Sequence, residues 1–170
     1  MFPALAIAAR RHRISWTDAP AQRGVGFLEL MLVVALVAIL GGMAFPAYSN
    51  YLKRSKTQQA IADMQTIEQK LKLFEVQSEQ GTLPASLSDL GVVLPLDPWG
   101  NAYQYLNLST ANRGQMRKDR NLVPINSDYD LYSMGPDGRS VSPLTAAMSR
   151  DDIVRAGNGS FLGTAADYVP

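Results

Sequence analysis

A single carboxylate, Glu29, stands near the start of an apolar run that continues without another charged residue to Leu52. A helix of about 20 apolar residues is long enough to cross a bilayer. An ionised side chain inside such a helix is costly unless it has a partner. The position of Glu29 therefore indicates a function for its carboxylate. The alternative is a plain single-pass anchor that carries an accidental acid.

The residues before the run suggest the partner of this carboxylate. Arg23-Gly24 precede the run, and Glu29 is the fifth residue after Gly24. This arrangement resembles the processing signal of type IV pilins and type II secretion pseudopilins. The resemblance implies that a prepilin peptidase cuts after Gly24 and methylates the new amine of Val25, and that Pro46 is the family's helix-kinking proline.

The spacing gives Glu29 a physical role in assembly. Four helical residues at 1.5 Å each place its carboxylate about 6 Å from a new amine on Val25. In a bundle of such helices the carboxylate can also neutralise the amine of a neighbouring subunit, where the low dielectric strengthens the attraction. We therefore expect Glu29 to set the register of docking.

The charge distribution predicts how the chain is placed across a membrane. Residues 1–24 contain four arginines and one aspartate, and positively charged flanks tend to stay in the cytoplasm. We predict a cytoplasmic leader over residues 1–24, a transmembrane and assembly segment over 25–52, and a periplasmic domain over 53–170. The chain would be a single-pass protein of the inner membrane.

The composition disfavours an enzyme. The chain has no cysteine, and its one histidine, His12, lies in the predicted leader. A chain processed after Gly24 therefore lacks the residues of Cys/His nucleophilic catalysis and of the common Cys/His zinc sites. A membrane-anchored periplasmic enzyme with paired carboxylates stays an alternative, although nothing in the sequence marks a cleft. We expect no enzymatic activity.

The apolar pattern changes beyond Pro46. Apolar residues then recur three or four positions apart, which predicts an amphipathic helix; they are Ile61, Met64, Ile67, Leu71 and Phe74. The helix is expected from Val25 to about Gln77. Glu68 and Lys72 have the spacing of an ion pair on its exposed side.

Gly41-Gly42 and Pro46 lie close together in the same predicted helix. Both residue types weaken helical structure. Two interpretations stay open. The segment either tolerates a kink in the membrane or unwinds when the subunit enters a filament, as the resemblance implies.

Shorter elements follow the helix and give the fold class. The sequence predicts a short helix over residues 84–90, a turn over 97–101 and strands over 102–106 and 129–134. The order Asp-Pro-Trp-Gly-Asn-x-Tyr-x-Tyr from Asp97 resembles the G-type major pseudopilin of type II secretion. We predict an α+β pilin-like fold, a long N-terminal helix packed on a small antiparallel sheet, with Trp99 packing the turn onto the helix.

A basic run, Arg117-Lys118-Asp119-Arg120, lies between the two predicted strands. We expect it to be a solvated face, and the alternative is contact with an acidic patch on the next subunit. The run is too short and too poor in aromatic residues to indicate nucleic-acid binding.

The resemblance also implies a calcium site near the C-terminus. Carried over residue by residue, the carboxylates of Asp137, Asp151 and Asp152 and the backbone carbonyl of Met134 would supply oxygen ligands, which calcium prefers. Residues 139–150 replace the short Gly/acidic run usual in that family, and residues 154–170 extend beyond it. The alternative is that these aspartates only cap solvated turns.

The resemblance implies a structural function. A pseudopilin polymerises with itself and with minor pseudopilins, on an inner-membrane assembly platform driven by its ATPase, and the filament helps to export folded proteins. The alternative is a pilin of a surface pilus, which the absence of cysteine and the Asp-Pro-Trp-Gly-Asn turn disfavour.

Overall fold

The computed structural model describes residues 24–120 and 123–169. The predicted leader, apart from Gly24, lies outside the described residues. Contacts divide the chain into two units, with the boundary in sequence between Ala44 and Phe45.

The first unit holds the beginning of helix α1, which spans Phe27–Gln77 and has 51 residues. The helix continues through Pro46, so this proline is accommodated within it. The predicted helix limits, Val25 and about Gln77, agree with the observed ones to within the usual uncertainty of helix ends.

The second unit contains a four-stranded antiparallel sheet. Its strands are β1 (Gln104–Asn107), β4 (Tyr129–Ser133), β5 (Ile153–Ala156) and β6 (Phe161–Thr164), in the order β1-β4-β5-β6. Strands β2 (Lys118–Asp119) and β3 (Val123–Pro124) form a separate antiparallel pair. The two strands predicted from the sequence lie close to β1 and β4, and the other four strands were not predicted.

A 3₁₀ helix, Leu87–Leu90, replaces the short helix predicted over residues 84–90. It ends at Gly91, which has φ 64°, a left-handed conformation that glycine adopts without steric cost. A 3₁₀ geometry is common in such short segments.

One face of the sheet packs against the second half of α1, and we call it the helix face. Its core consists of Ala60, Met64, Ile67, Leu71, Tyr103, Tyr129, Leu131 and Ile153. Trp99 packs against this cluster, as predicted. Three of the five predicted stripe residues are fully buried here, and Ile61 packs beside them. The predicted amphipathic half is therefore confirmed.

The opposite face of the sheet, which we call the outer face, has a core of its own. It consists of Ile125, Leu144, Val154, Ala156 and Ala165, with Tyr132, Phe161 and Tyr168 beside them. Leu144 comes from the 139–150 segment, and most of the others come from residues beyond 153. These C-terminal residues are therefore an integral part of the domain.

Candidate functional site

The first candidate site is the beginning of helix α1. Glu29 lies in its first turn, where a carboxylate interacts favourably with the helix dipole. Gly24 and Val25 precede the helix and are exposed. The structure therefore places the predicted cleavage residues on an accessible segment directly before the predicted assembly carboxylate.

The apolar residues that follow Glu29 in the first unit are exposed. The most apolar 18-residue window of α1 has a mean hydropathy of 2.4, and none of it is buried. Phe27 and Phe45 are 76% and 78% exposed. Water is a poor solvent for such a surface. This helix is long and apolar enough to span a membrane.

The second candidate site is the C-terminal loop between β4 and β5. Its two ends lie close together, because a Cβ atom on Gly135 would collide with the backbone carbonyl of Asp151. The predicted turn also reaches this place. The Asn101 side chain donates a hydrogen bond to the Gly135 carbonyl at 3.2 Å.

Asp97 fixes that turn. Its carboxylate accepts hydrogen bonds from the backbone N–H groups of Trp99 and Asn101, at 3.1 and 2.7 Å. Its second oxygen accepts the Ser133 hydroxyl at 2.6 Å. Asp97 is buried, so these bonds replace its lost hydration. The turn is thereby tied to the end of β4.

Two of the four predicted calcium ligands, Asp137 and Asp152, make other contacts. Asp137 is exposed and accepts the backbone N–H of Arg139 at 2.8 Å, which is an ordinary Asx turn. Asp152 is fully buried and accepts hydrogen bonds from the Arg117 guanidinium and the Ser140 hydroxyl. Within residues 24–120 and 123–169, no three His, Cys, Asp or Glu side chains converge as a metal site would require.

Asp152 Oδ1 is buried and has no hydrogen-bond partner among the described residues, but the residues present otherwise do not fit the predicted calcium site. Asp152 already has a cationic partner, and Asp137 lies in a separate exposed turn. Burial raises the pKa of Asp152, and the hydrogen bonds from Ser140 and Arg117 oppose that rise. Calcium binding by this loop stays a prediction, without a preformed set of ligands.

The expectation that the basic run is a solvated face is wrong for Arg117. Arg117 is 3% exposed, whereas Arg120 in the same run has an exposed side chain. A buried guanidinium needs charged or polar partners. Arg117 finds them in its own chain, where Asp152 lies 35 positions away.

The expected pair of Glu68 with Lys72 is also replaced by another. Glu68 binds the Arg155 guanidinium, with 2.6 Å between Oε1 and Nε. Arg155 also binds Asp128, with 2.8 Å between Nη2 and Oδ2. Because this guanidinium is buried, its charge needs carboxylate or other polar partners. Glu68 therefore belongs to the contact between helix and sheet.

Comparisons with known proteins place these features in context. Type II secretion system core protein G of Escherichia coli is 27% identical to this chain over 136 residues, covering 69% of this chain and 83% of that protein. The Aeromonas hydrophila core protein G is 29% identical over 138 residues, covering 70% and 86%. The predicted resemblance to the G-type pseudopilins is confirmed.

A fimbrial relative is similar over a shorter stretch. Fimbrial protein Q of Moraxella bovis is 39% identical over 44 residues, which is 26% of this chain and 28% of that protein. No protein-family profile matches the chain, and no solved structure matches it either. The pseudopilin similarity thus extends over far more of the chain than the fimbrial one.

The burial and pairing of three polar residues, Asp97, Arg117 and Arg155, were not predicted from the sequence. Asp97 was noticed only as part of a turn, Arg117 was expected at the surface, and Arg155 was not considered. An arginine gives no local sign of burial, since its partner is usually distant in sequence. The aromatic residues of β4 are the nearest signal, because both guanidinium groups lie over a tyrosine ring of that strand.

Proposed function

We propose that this chain is a filament subunit of a type II secretion system. The observation that carries the proposal is the uncovered apolar beginning of α1, with Glu29 as its lone acid. Such a surface needs lipid before assembly and neighbouring helices after it. The names of the relatives, secretion-system core proteins, support this function, and no relative named above is described as an enzyme.

The proposal includes maturation and location. A prepilin peptidase cuts after Gly24 and methylates the amine of Val25. The chain crosses the inner membrane once, with residues 53–170 in the periplasm. It polymerises with itself and with minor pseudopilins on an assembly platform driven by an ATPase.

The first experiment measures maturation. Intact-mass and N-terminal peptide analysis of the protein from its own membrane should give a methylated Val25 terminus. A terminus at Phe27 would contradict the proposal, because it removes the spacing that pairs Glu29 with an amine.

The second experiment tests the Glu29 carboxylate. Glu29→Gln keeps the size of the side chain and removes its charge. We expect normal membrane insertion with loss of filament assembly and secretion, because insertion gains from a neutral residue while docking loses its ion pair. Glu79→Gln is a matched control at an exposed glutamate and should leave assembly intact. Normal filaments from Glu29→Gln would show that the charge does not set the register.

A surface pilus is the second candidate function, favoured by the similarity to fimbrial protein Q. Deletion of the gene separates the two. Loss of protein export with surface pili intact supports secretion. Loss of surface pili with export intact would overturn the proposed function in favour of a pilus.

A further inference from the structure

The buried guanidinium of Arg117 collects oxygen atoms in the way that a bound cation does. Nη2 binds the Asp152 carboxylate, and Nη1 binds the Ser140 hydroxyl and the Val141 carbonyl, the latter at 2.6 Å. A carboxylate, a hydroxyl and a backbone carbonyl are oxygen donors of the kind that suit calcium. Here a side chain of the protein supplies the positive charge.

Other contacts hold this guanidinium in place. Its carbon lies 4.0 Å from the centroid of the Tyr132 ring, a favourable cation–π distance. The backbone N–H of Arg117 donates to the Asp130 carboxylate at 2.7 Å. Arg117 is thus attached to β4 at two points and reaches the 139–152 segment from there.

The same segment is bonded to the backbone beside Arg117. The Lys118 N–H donates to the Ser142 carbonyl, and the Leu144 N–H donates to the Lys118 carbonyl, each at 3.0 Å. The Ser142 hydroxyl donates to the Met116 carbonyl at 2.7 Å. The segment therefore lies against residues 116–118 as an added strand-like stretch, with Leu144 buried in the outer face.

We propose that Arg117 replaces a divalent cation in this chain. Its guanidinium neutralises Asp152 and gathers the oxygens of Ser140 and Val141, so residues 139–152 are ordered without calcium. A calcium ion at Asp152 would stand beside this guanidinium and be repelled by it. The residues that replace the usual Gly/acidic run are the ones that supply the Ser140, Val141 and Leu144 contacts.

The first test compares the full chain in detergent micelles with calcium and with chelator. Thermal unfolding reports global stability, and hydrogen exchange of peptides from residues 139–152 reports local order. We expect the same melting temperature and the same exchange in both conditions, up to the roughly millimolar calcium at which extracellular sites saturate. A calcium-dependent rise in melting temperature, or slower exchange in this segment, would overturn the proposal.

The second test removes the charge. Arg117→Gln should speed exchange in residues 139–152 by about a hundredfold or more, which is what breaking a buried ion pair implies. The melting temperature should fall by about 10 °C. The matched control, Arg113→Gln, changes an exposed arginine nearby and should leave both unchanged. Unchanged exchange in Arg117→Gln would contradict the proposal.

A double variant separates charge neutralisation from simple packing. Arg117→Gln leaves the Asp152 carboxylate buried without a cation, whereas Arg117→Gln with Asp152→Asn removes both charges. The double variant should therefore melt higher than Arg117→Gln alone. If it melts lower by the full sum of the two single losses, the pair is not a charge pair and the proposal fails. Should Arg117→Gln not fold, the double variant and the calcium comparison on the unaltered chain still decide.

Discussion

The two faces of the four-stranded sheet each bury an arginine over a tyrosine of β4. Arg155 lies over Tyr129 on the helix face and Arg117 over Tyr132 on the outer face, both 4.0 Å from the ring centroid. The covers differ, since α1 protects one face and the C-terminal third of the chain protects the other. A single long helix therefore covers only one face of this sheet, and the rest of the chain supplies a second core on the other face.

The arginines also differ in how fully they are paired. Arg155 meets two carboxylates, Glu68 and Asp128, and each of its guanidinium nitrogens has a hydrogen bond. Arg117 meets Asp152 alone, and its Nε has no hydrogen-bond partner among the described residues. More of the stability should therefore depend on the helix-face arginine.

The largest effect is expected from Arg155→Gln. This change leaves two carboxylates without their cation and removes the ion pair that joins helix to sheet, so the free energy of unfolding should fall by about 3–5 kcal/mol. Denaturant unfolding of the full chain in micelles measures it, with Arg150→Gln as the exposed control. If Arg155→Gln lowers the free energy of unfolding by less than Arg117→Gln does, the outer-face arginine contributes more to stability than the helix-face arginine, contrary to the prediction.

The next prediction tests how much the core of the outer face contributes to the free energy of unfolding. Leu144 is 3% exposed, and Leu144→Ala should lower the free energy of unfolding by about 3 kcal/mol, as truncation of a buried leucine does. Leu73→Ala, at an exposed leucine of α1, should cost little. If the two variants are equally stable, the outer face is only a loosely held surface.

A third effect concerns the place where the 139–152 segment returns to the sheet. Gly135 has φ +64°, and an added Cβ would collide with the Asp151 carbonyl. Gly91 has the same φ of +64° with open space around it. Gly91→Ala should therefore cost about 1 kcal/mol for the backbone alone, and Gly135→Ala clearly more. If both variants lower the melting temperature equally, the approach between Gly135 and the Asp151 carbonyl is not tight.

The smallest effect is a difference in pH dependence between Asp128 and Asp130. Burial would raise the pKa of Asp128, but hydrogen bonds from Arg155 and the Tyr129 N–H lower it below the ordinary value of 3.8. Burial raises the pKa of Asp130 above 3.8. Ionised Asp128 therefore contributes stability that is lost as the pH falls below 3.8, whereas ionised Asp130 carries a cost that is relieved as the pH falls towards its folded pKa.

Melting temperatures measured from pH 7 to pH 3 test these opposite signs. The difference in melting temperature between the unaltered chain and Asp128→Asn should become smaller below about pH 3.8. The stability of the unaltered chain relative to Asp130→Asn should instead grow as the pH falls from neutral. Shifts of a few degrees are expected, and slopes of the same sign in both variants would contradict the assignment.

The helix face could be predicted from the sequence because its signals are local. Apolar residues at helical spacing gave Met64, Ile67 and Leu71, which are buried there. The turn at Asp97 and its aromatic strand were also visible. Each of these features depends on residues only a few positions apart, which is the range over which pattern and propensity operate.

The outer face could not be predicted in this way. Arg117 and Asp152 are 35 positions apart. On the helix face, the Arg155–Glu68 pair was missed for the same reason, because its residues are 87 positions apart. Charged residues at such separations give no periodic pattern. Strand β6 follows a tight turn around Gly157 and Gly159. The resemblance predicts Asp152 as a calcium ligand, and the structure places the Arg117 guanidinium against this carboxylate.

Ala165 near the C-terminal end of the described chain completes the outer core. Its N–H donates to the Asp152 carbonyl at 2.8 Å, and the preceding strand, β6, pairs with β5. During synthesis the N-terminal parts emerge first, so the edge of β5 stays unpaired until β6 has emerged. An open strand edge is a template for another chain. Until β6 pairs with it, the edge of β5 is therefore open to pairing with another chain, and a variant without β6 would keep that edge open.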